Sequence, residues 1–272
     1  MENKDVVAVF DADDTLWMNE GQYSQAVCRF FDYLYQALRN RVPTRGYLSE
    51  RFQKIDGELF GTWGVKRGRL AKSMVRLYYE VLGWAKWRYG VNLHDKRDER
   101  FIREIGDLPF DYELLDWLPE AKALLEKLKK AGWKLCLLTS YDNKVFPKRA
   151  KYMGLKEFFH PENTLAVEYK KTKEDFIAVS GWSPQSDKNQ KWVAVGNADS
   201  DILPALDISE NWYGVRVPHG SSSKYCEDKD SGKYTDCPYP YFMPPPLVHP
   251  RALDLRSLSD FPKAMELIRP AG

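Results

Sequence analysis

The chain contains no apolar run that approaches the roughly 18 residues a membrane-spanning helix requires, so no membrane partner is expected. Cysteine is scarce: Cys28, Cys136, Cys226 and Cys237 are all there are in 272 residues, and their spacings make no zinc motif. Cys136 lies in an apolar, strand-like run and reads as core. Cys226 and Cys237 flank a polar loop and could pair under oxidation, but free thiols are the expected state in a cytosolic protein. A strong charge of either sign is also missing. The formal net charge is +2, so nothing global points to nucleic acid. The opening MENKD is charged, and the apolar run behind it is too short for the apolar region of a signal peptide. A cytoplasmic location is expected. No internal repeat is present, and His94, His160, His219 and His249 are scattered without an assigned role.

What is present is ordinary for a globular protein, with 43% hydrophobic and 29% charged residues. The length suits one large domain, or a core domain with an insert. Aromatic residues are plentiful at 14%, nine of them tryptophan, which fits a filled core or an aromatic pocket.

DVVAVF (5–10) is a short, largely β-branched run and reads as a buried strand. From 19 to 116 every pattern is helical: Gln22–Leu38, Leu48–Leu59, Leu70–Tyr89 and Glu99–Ile105. The character then changes. EAKALLEKLKKAG (120–132) is an amphipathic helix ending at a glycine. Strands follow at 133–140, 164–169, 191–197 and 212–218, with helices at 146–155, 172–182 and 201–208 between them. Alternating strands and helices predict an α/β fold with a parallel sheet and right-handed crossovers. Residues 219–250 read as a long loop rich in Ser, Pro, Tyr and Lys, and SLSDFPKAMELI as a closing helix. The expected domains are a core of 1–18 and 117–272 and an all-helical insert of 19–116.

Active sites of open parallel sheets lie at the carboxyl ends of the strands. The residues there are Asp11, Asp13, Asp14 and Thr15; Thr139 and Ser140; Lys170 and Lys171; and Gly196, Asn197, Asp199, Ser200 and Asp201. Clustered carboxylates that stay ionised call for a cation, and hard oxygen donors favour magnesium. A hydroxyl, backbone amides and a lysine make a cradle for a tetrahedral anion. Together they suit phosphoryl transfer, in which a carboxylate can be the nucleophile and a second carboxyl can exchange protons.

These residues carry a resemblance to the haloacid dehalogenase-like (HAD) hydrolase superfamily. Its first motif, a strand followed by D-x-D-x-T, is similar to Asp11-Ala12-Asp13-Asp14-Thr15. The second resembles LCLLTS with Thr139, the third Lys171 in KKTKEDF, the fourth GNADSDILPA. The four occur in order, and the resemblance covers about the whole chain. It implies a Rossmann-like core in which Asp11 is the nucleophile and Asp13 the general acid/base. It implies magnesium held by the Asp11 carboxylate, the Asp13 backbone carbonyl and Asp201. Thr139 and Lys171 would bind the phosphoryl group, Ser140 contributing its backbone. The block 19–116 corresponds to a helical cap of the first type, a lid over the site. The retained Asp13 favours phosphoryl over carbon–halogen chemistry, and the expected reaction is hydrolysis of a small phosphorylated metabolite through an aspartyl-phosphate. A phosphomutase shares these motifs, and a catalytically silent binding protein would keep the fold.

The pattern also departs from the family. Asp14 stands where many members have glycine, and reads as a turn acid or a helix-facing cap. Asn197 stands where many members have a metal-associated Asp, so Asp201 or Asp199 must supply the acid; Asn197 is expected beside the metal ligands, and Asp199 either beside them or among them. A one-residue slip decides whether Lys170 or Lys171 points inward; Lys171 is the favoured one. The basic stretch 66–76 reads as a solvated helix face. Trp63, Trp84 and Trp87, at helical spacing, read as core.

Overall fold

A computed structural model describes residues 6–111, 113, 115–186, 189–217 and 245–268. The chain divides into two compact units. One comprises the described residues within 1–18, 113–220 and 242–272, the other those within 19–112.

The first unit is built on a six-stranded parallel sheet: β1 (Val6–Phe10), β2 (Lys134–Ser140), β3 (Thr164–Val167), β4 (Lys191–Gly196), β5 (Trp212–Arg216) and β6 (Ala252–Asp254). The strand order is β3-β2-β1-β4-β5-β6, and each neighbouring pair is parallel. β1 is buried along its whole length, so both its faces are apolar rather than alternating. On one face Val7 and Val9 pack with Cys136, Leu138, Phe176, Trp192 and Trp212. On the other, the Phe10 ring meets Phe159 edge-on at 6.4 Å and stacks with Phe261 at 6.3 Å. The reading of Cys136 as core holds, and burial pushes its thiol up to about 12, which keeps it protonated.

Helices of this unit are α5 (Ala121–Lys130), α6 (Phe146–Tyr152), α7 (Lys173–Ser180), α8 (Leu203–Leu206) and α9 (Phe261–Ile268). The segment read as one helix over 201–208 is a 3-10 turn, Asp199–Asp201, followed by the short α8. Pro204 accounts for the break, because proline suits only the first turn of a helix. β6 has no counterpart in the sequence reading. Most of the long loop expected at 219–250, including Cys226 and Cys237, lies outside the described residues.

The second unit is all helical: α1 (Glu20–Ala37), α2 (Arg45–Trp63), α3 (Arg69–Tyr89) and α4 (Lys96–Asp107). Its core joins Phe30, Phe31, Phe52, Met74, Leu77 and Ile102. Asp98 on α4 ties two helices by accepting from Tyr33 Oη at 2.5 Å and Tyr78 Oη at 2.6 Å. Gly106 is required where α4 crosses α3, since a Cβ there would lie 2.4 Å from the Ala71 Cα. Two expectations for this unit need correction. Trp87 is 78% exposed and Trp63 36%, so the tryptophan spacing does not mark core. Arg69, within the basic stretch, is buried and ion-paired with Asp56 rather than solvated.

The first unit reaches back to Glu113 because the chain leaving α4 is tied to the chain leaving β1. Met18 N–H donates to Asp116 O at 3.3 Å, and Leu118 N–H donates to Leu16 O at 2.8 Å. The Trp17 and Trp117 rings meet edge-on at 5.9 Å.

Candidate active site

The site is assembled at the carboxyl edge of the sheet, on either side of β1. Asp11 continues β1, its N–H donating to Val195 O on β4 at 2.7 Å. The chain then turns sharply. Leu16 N–H donates to Ala12 O at 2.8 Å and Asp14 N–H to Trp17 O at 2.7 Å. Asp14 takes the left-handed conformation, φ 57°, and is buried. It is the turn acid that the sequence suggested.

Lys171, just before α7, is buried with its ammonium between two carboxylates. Nζ donates to Asp11 Oδ1 and, at 2.7 Å, to Asp201 Oδ1. Lys170 is exposed, so Lys171 is the inward member of the pair. Asp201 enters from the 3-10 turn after β4, and its other oxygen accepts from Ala198 N at 3.0 Å. Gly196 makes room for it. A Cβ at that position would lie 2.2 Å from the Asp201 Cβ. Thr15 Oγ1 donates to Asp11 Oδ2 at 3.2 Å and lies 3.5 Å from Asn197 Oδ1. Asp11, Thr15, Lys171, Asn197 and Asp201 therefore share one cluster.

Burial is the largest influence on Asp11 and pushes its carboxyl up. Lys171 opposes this and Asp201 adds to it, leaving a value of about 7. Burial pulls the Lys171 ammonium down, but Asp11 and Asp201 outweigh it and hold it above its ordinary value. The cluster thus contains more buried negative charge than one lysine relieves comfortably. Its donors are all oxygens, the set that suits a hard cation such as magnesium. Among the described residues no group of three or more His, Cys, Asp or Glu side chains is placed to hold a metal ion. Magnesium commonly uses one or two carboxylates with water and substrate phosphate, so the Asp11–Asp201 pair fits it.

The remaining candidates are placed differently. The Asp13 carboxylate turns to Trp17 Nε1 at 2.6 Å and Arg149 Nη1 at 2.8 Å. Asp199 pairs with the buried Arg216, which draws its side chain to the end of β5. Thr139 is buried near the end of β2, in the strand whose Leu137 pairs with Phe10. Ser140 Oγ donates to Tyr169 O at 3.0 Å, binding β2 to the segment that carries Lys171.

Arg149 and Arg216 escaped the sequence reading. Arg149 is one of several basic residues in its helix and Arg216 ends a strand, and each finds a carboxylate partner well away along the chain. Trp17 had one usable signal, its place four residues after Asp13.

The comparisons agree with this architecture. Residues 7–181 match the family model described as haloacid dehalogenase-like hydrolase. No curated protein sequence matches the chain. A solved haloacid dehalogenase-like family hydrolase from Xanthomonas campestris superposes with a TM-score of 0.68 at 20% identity, covering 98% of this chain and 94% of that one. A putative HAD-hydrolase from Bacillus subtilis bound to magnesium gives 0.56 at 14% identity, covering 97% and 99%. A putative beta-phosphoglucomutase from Thermotoga maritima gives 0.51 at 17% identity, again covering 97% and 99%. At these identities the solved structures speak for the fold, and the family model, which spans most of the chain, speaks for descent. The parallel sheet, the acids leaving its central strand and the matched residues place the chain in one family: it belongs to the haloacid dehalogenase-like hydrolases.

Proposed function

We propose that the protein is a magnesium-dependent phosphatase that hydrolyses a small phosphorylated metabolite through an aspartyl-phosphate. The observation that carries this reading is the buried Lys171 ammonium between Asp11 and Asp201, beside Thr15. A lysine fixed there supplies positive charge where a phosphoryl group would meet the Asp11 carboxylate. Clustered acids with a fixed cation are the parts that phosphoryl transfer needs.

Asp11 attacks phosphorus with a carboxylate oxygen while the ester P–O bond breaks. Asp13 gives its proton to the departing oxygen, and the alcohol leaves. A water then attacks the aspartyl-phosphate, losing a proton to Asp13. The bond from phosphorus to Asp11 breaks, inorganic phosphate departs and the carboxylate is restored. Lys171 holds the phosphoryl oxygens through both steps, with Thr139 and the Ser140 backbone assigned to the same group. Asp11, Asp201 and the Asp13 backbone carbonyl would hold magnesium, which would supply charge neutralisation. The helical unit is assigned the role of a lid that excludes water and selects the substrate.

Asp11→Asn is expected to abolish phosphate release from a panel of phosphate esters while the circular dichroism spectrum stays that of the wild type. EDTA is expected to stop turnover and added magnesium to restore it. Undiminished activity in Asp11→Asn would overturn the mechanism. Phosphate retained on a product sugar would identify a mutase instead, and halide release from a 2-haloacid without any phosphatase activity would identify a dehalogenase.

A further inference from the structure

Arg216 closes β5 beside the end of β4, opposite Gly196, and the next residue along, Val217, donates its N–H to Gly196 O at 2.8 Å. The Arg216 side chain has no accessible surface. Asp254 alone neutralises it: Nε donates to Asp254 Oδ1 at 2.8 Å and Nη2 to Oδ2 at 2.7 Å, while Nη2 also reaches Pro245 O at 2.7 Å. A two-pronged carboxylate is the partner a buried guanidinium needs. Nη1 nonetheless takes a second acid, Asp199, whose side chain is 47% exposed. Burial does not call for that second acid, but its place in the chain does.

Asp199 opens the 3-10 turn that carries Asp201. The two acids of that turn are claimed by two buried cations, Asp199 by Arg216 and Asp201 by Lys171. Both oxygens of Asp201 are aimed. Lys171 Nζ donates to Oδ1 at 2.7 Å and Ala198 N–H to Oδ2 at 3.0 Å. The second of these donors is the backbone of the residue just before Asp199. Beyond the turn, Ile202 is buried against Gly214 of β5, where a Cβ would lie 2.3 Å from the Ile202 Cγ2. Packing thus fixes the end of the turn, and the Arg216–Asp199 pair fixes its start.

We infer that Arg216 and Asp199 are positioning residues for the metal site: Arg216 holds Asp199 against β5, which sets the Ala198 amide and so keeps the Asp201 carboxylate in the place from which it would hold magnesium. Asp199 then serves the site without being a ligand. Residues that orient a ligand rather than touch the ion are commonly worth about 10- to 100-fold in metal affinity. The inference rests on the magnesium-dependent reading of the site.

The test is metal affinity, which needs no turnover. The probe is Mn2+, which takes the same oxygen donors and whose unbound fraction is counted by electron paramagnetic resonance. High salt screens the exposed charges. Asp199→Ala is expected to weaken Mn2+ binding by about 10- to 100-fold. Asp199→Asn keeps an oxygen for Arg216 but not the charge, and is expected to stay within about 3-fold of the wild type under that screening. Arg216→Met removes a positive charge from the turn, yet is expected to weaken binding too, where simple repulsion of the ion would predict the opposite. Circular dichroism identifies the variants that fold, and the two Asp199 variants decide alone if Arg216→Met does not. Wild-type affinity in Asp199→Ala, equal losses in Asp199→Ala and Asp199→Asn, or tighter binding in Arg216→Met would overturn the positioning role. Wild-type protein that binds no Mn2+ would overturn the magnesium reading, and this role with it.

Discussion

Asp14 occupies a left-handed backbone conformation, φ 57°, which costs an L-residue roughly 1–2 kcal/mol and in which Asp and Asn are the best tolerated after glycine. That accounts for an acid at a position where the motif resemblance has glycine: the turn demands the conformation, and Asp can adopt it. Comparing two small substitutions isolates the backbone effect, since both remove the same side-chain interactions. Asp14→Gly is expected to be more stable than Asp14→Ala by about 1 kcal/mol in urea unfolding. That Asp11, Lys171 and Asp201 come together was legible because their types and order along the chain carry the chemistry. The partners of Asp13 were not, because Arg149 is one basic residue among several in KVFPKRAKY, and only folding selects it.

At the scale of elements, the far edge of the sheet is held by a buried cation. Arg216, at the end of β5 and without accessible side-chain surface, donates to Asp254 Oδ1 and Oδ2 at 2.8 and 2.7 Å and to Pro245 O at 2.7 Å, and it pairs with Asp199. One side chain thus joins β6, the chain before it and the turn that presents Asp201. Asp254→Ala strips a buried charge of its two-pronged partner and is expected to cost about 3 kcal/mol in urea unfolding. Arg100→Ala, which breaks a helix-surface pair between side chains 86% and 58% exposed, is expected to cost less than about 0.5 kcal/mol. This clamp also explains why β6 was missed. Three residues, Ala252–Asp254, form a strand because Arg216 anchors their end, and no alternation in so short a run announces it. The longer strands β1, β2, β4 and β5 declared themselves through continuous apolar runs.

Over the whole molecule, the sequence made one organisational fact plain: a run of purely helical periodicity lies between the first strand and the second. The site at the sheet edge, in turn, contributes to how stability responds to pH. Without metal the folded chain holds the Asp11 carboxyl at about 7. In the unfolded chain a carboxyl of this kind titrates at about 4. A raised value means that the folded state binds the proton more tightly. Its contribution to stability is then full below about pH 4 and is lost as pH rises through about 7. In EDTA the melting temperature is expected to fall between about pH 4 and about pH 7 and to level off above that. Asp11→Asn is expected to flatten that decline, and magnesium to raise the wild-type melting temperature most at the alkaline end.

The strand order has a further consequence, for how the chain reaches this state during synthesis. β1 leaves the ribosome before the strands it pairs with, β2 and β4, so Val7 must wait for both Lys134 and Trp192. In the interval the helical segment has all the residues of its own apolar core and can condense alone. The five apolar residues of β1, meanwhile, are an unpaired strand with nothing yet to cover either face. Asp11 therefore comes into position only once β4 has been made, when the apolar strand behind it is at last enclosed on both sides.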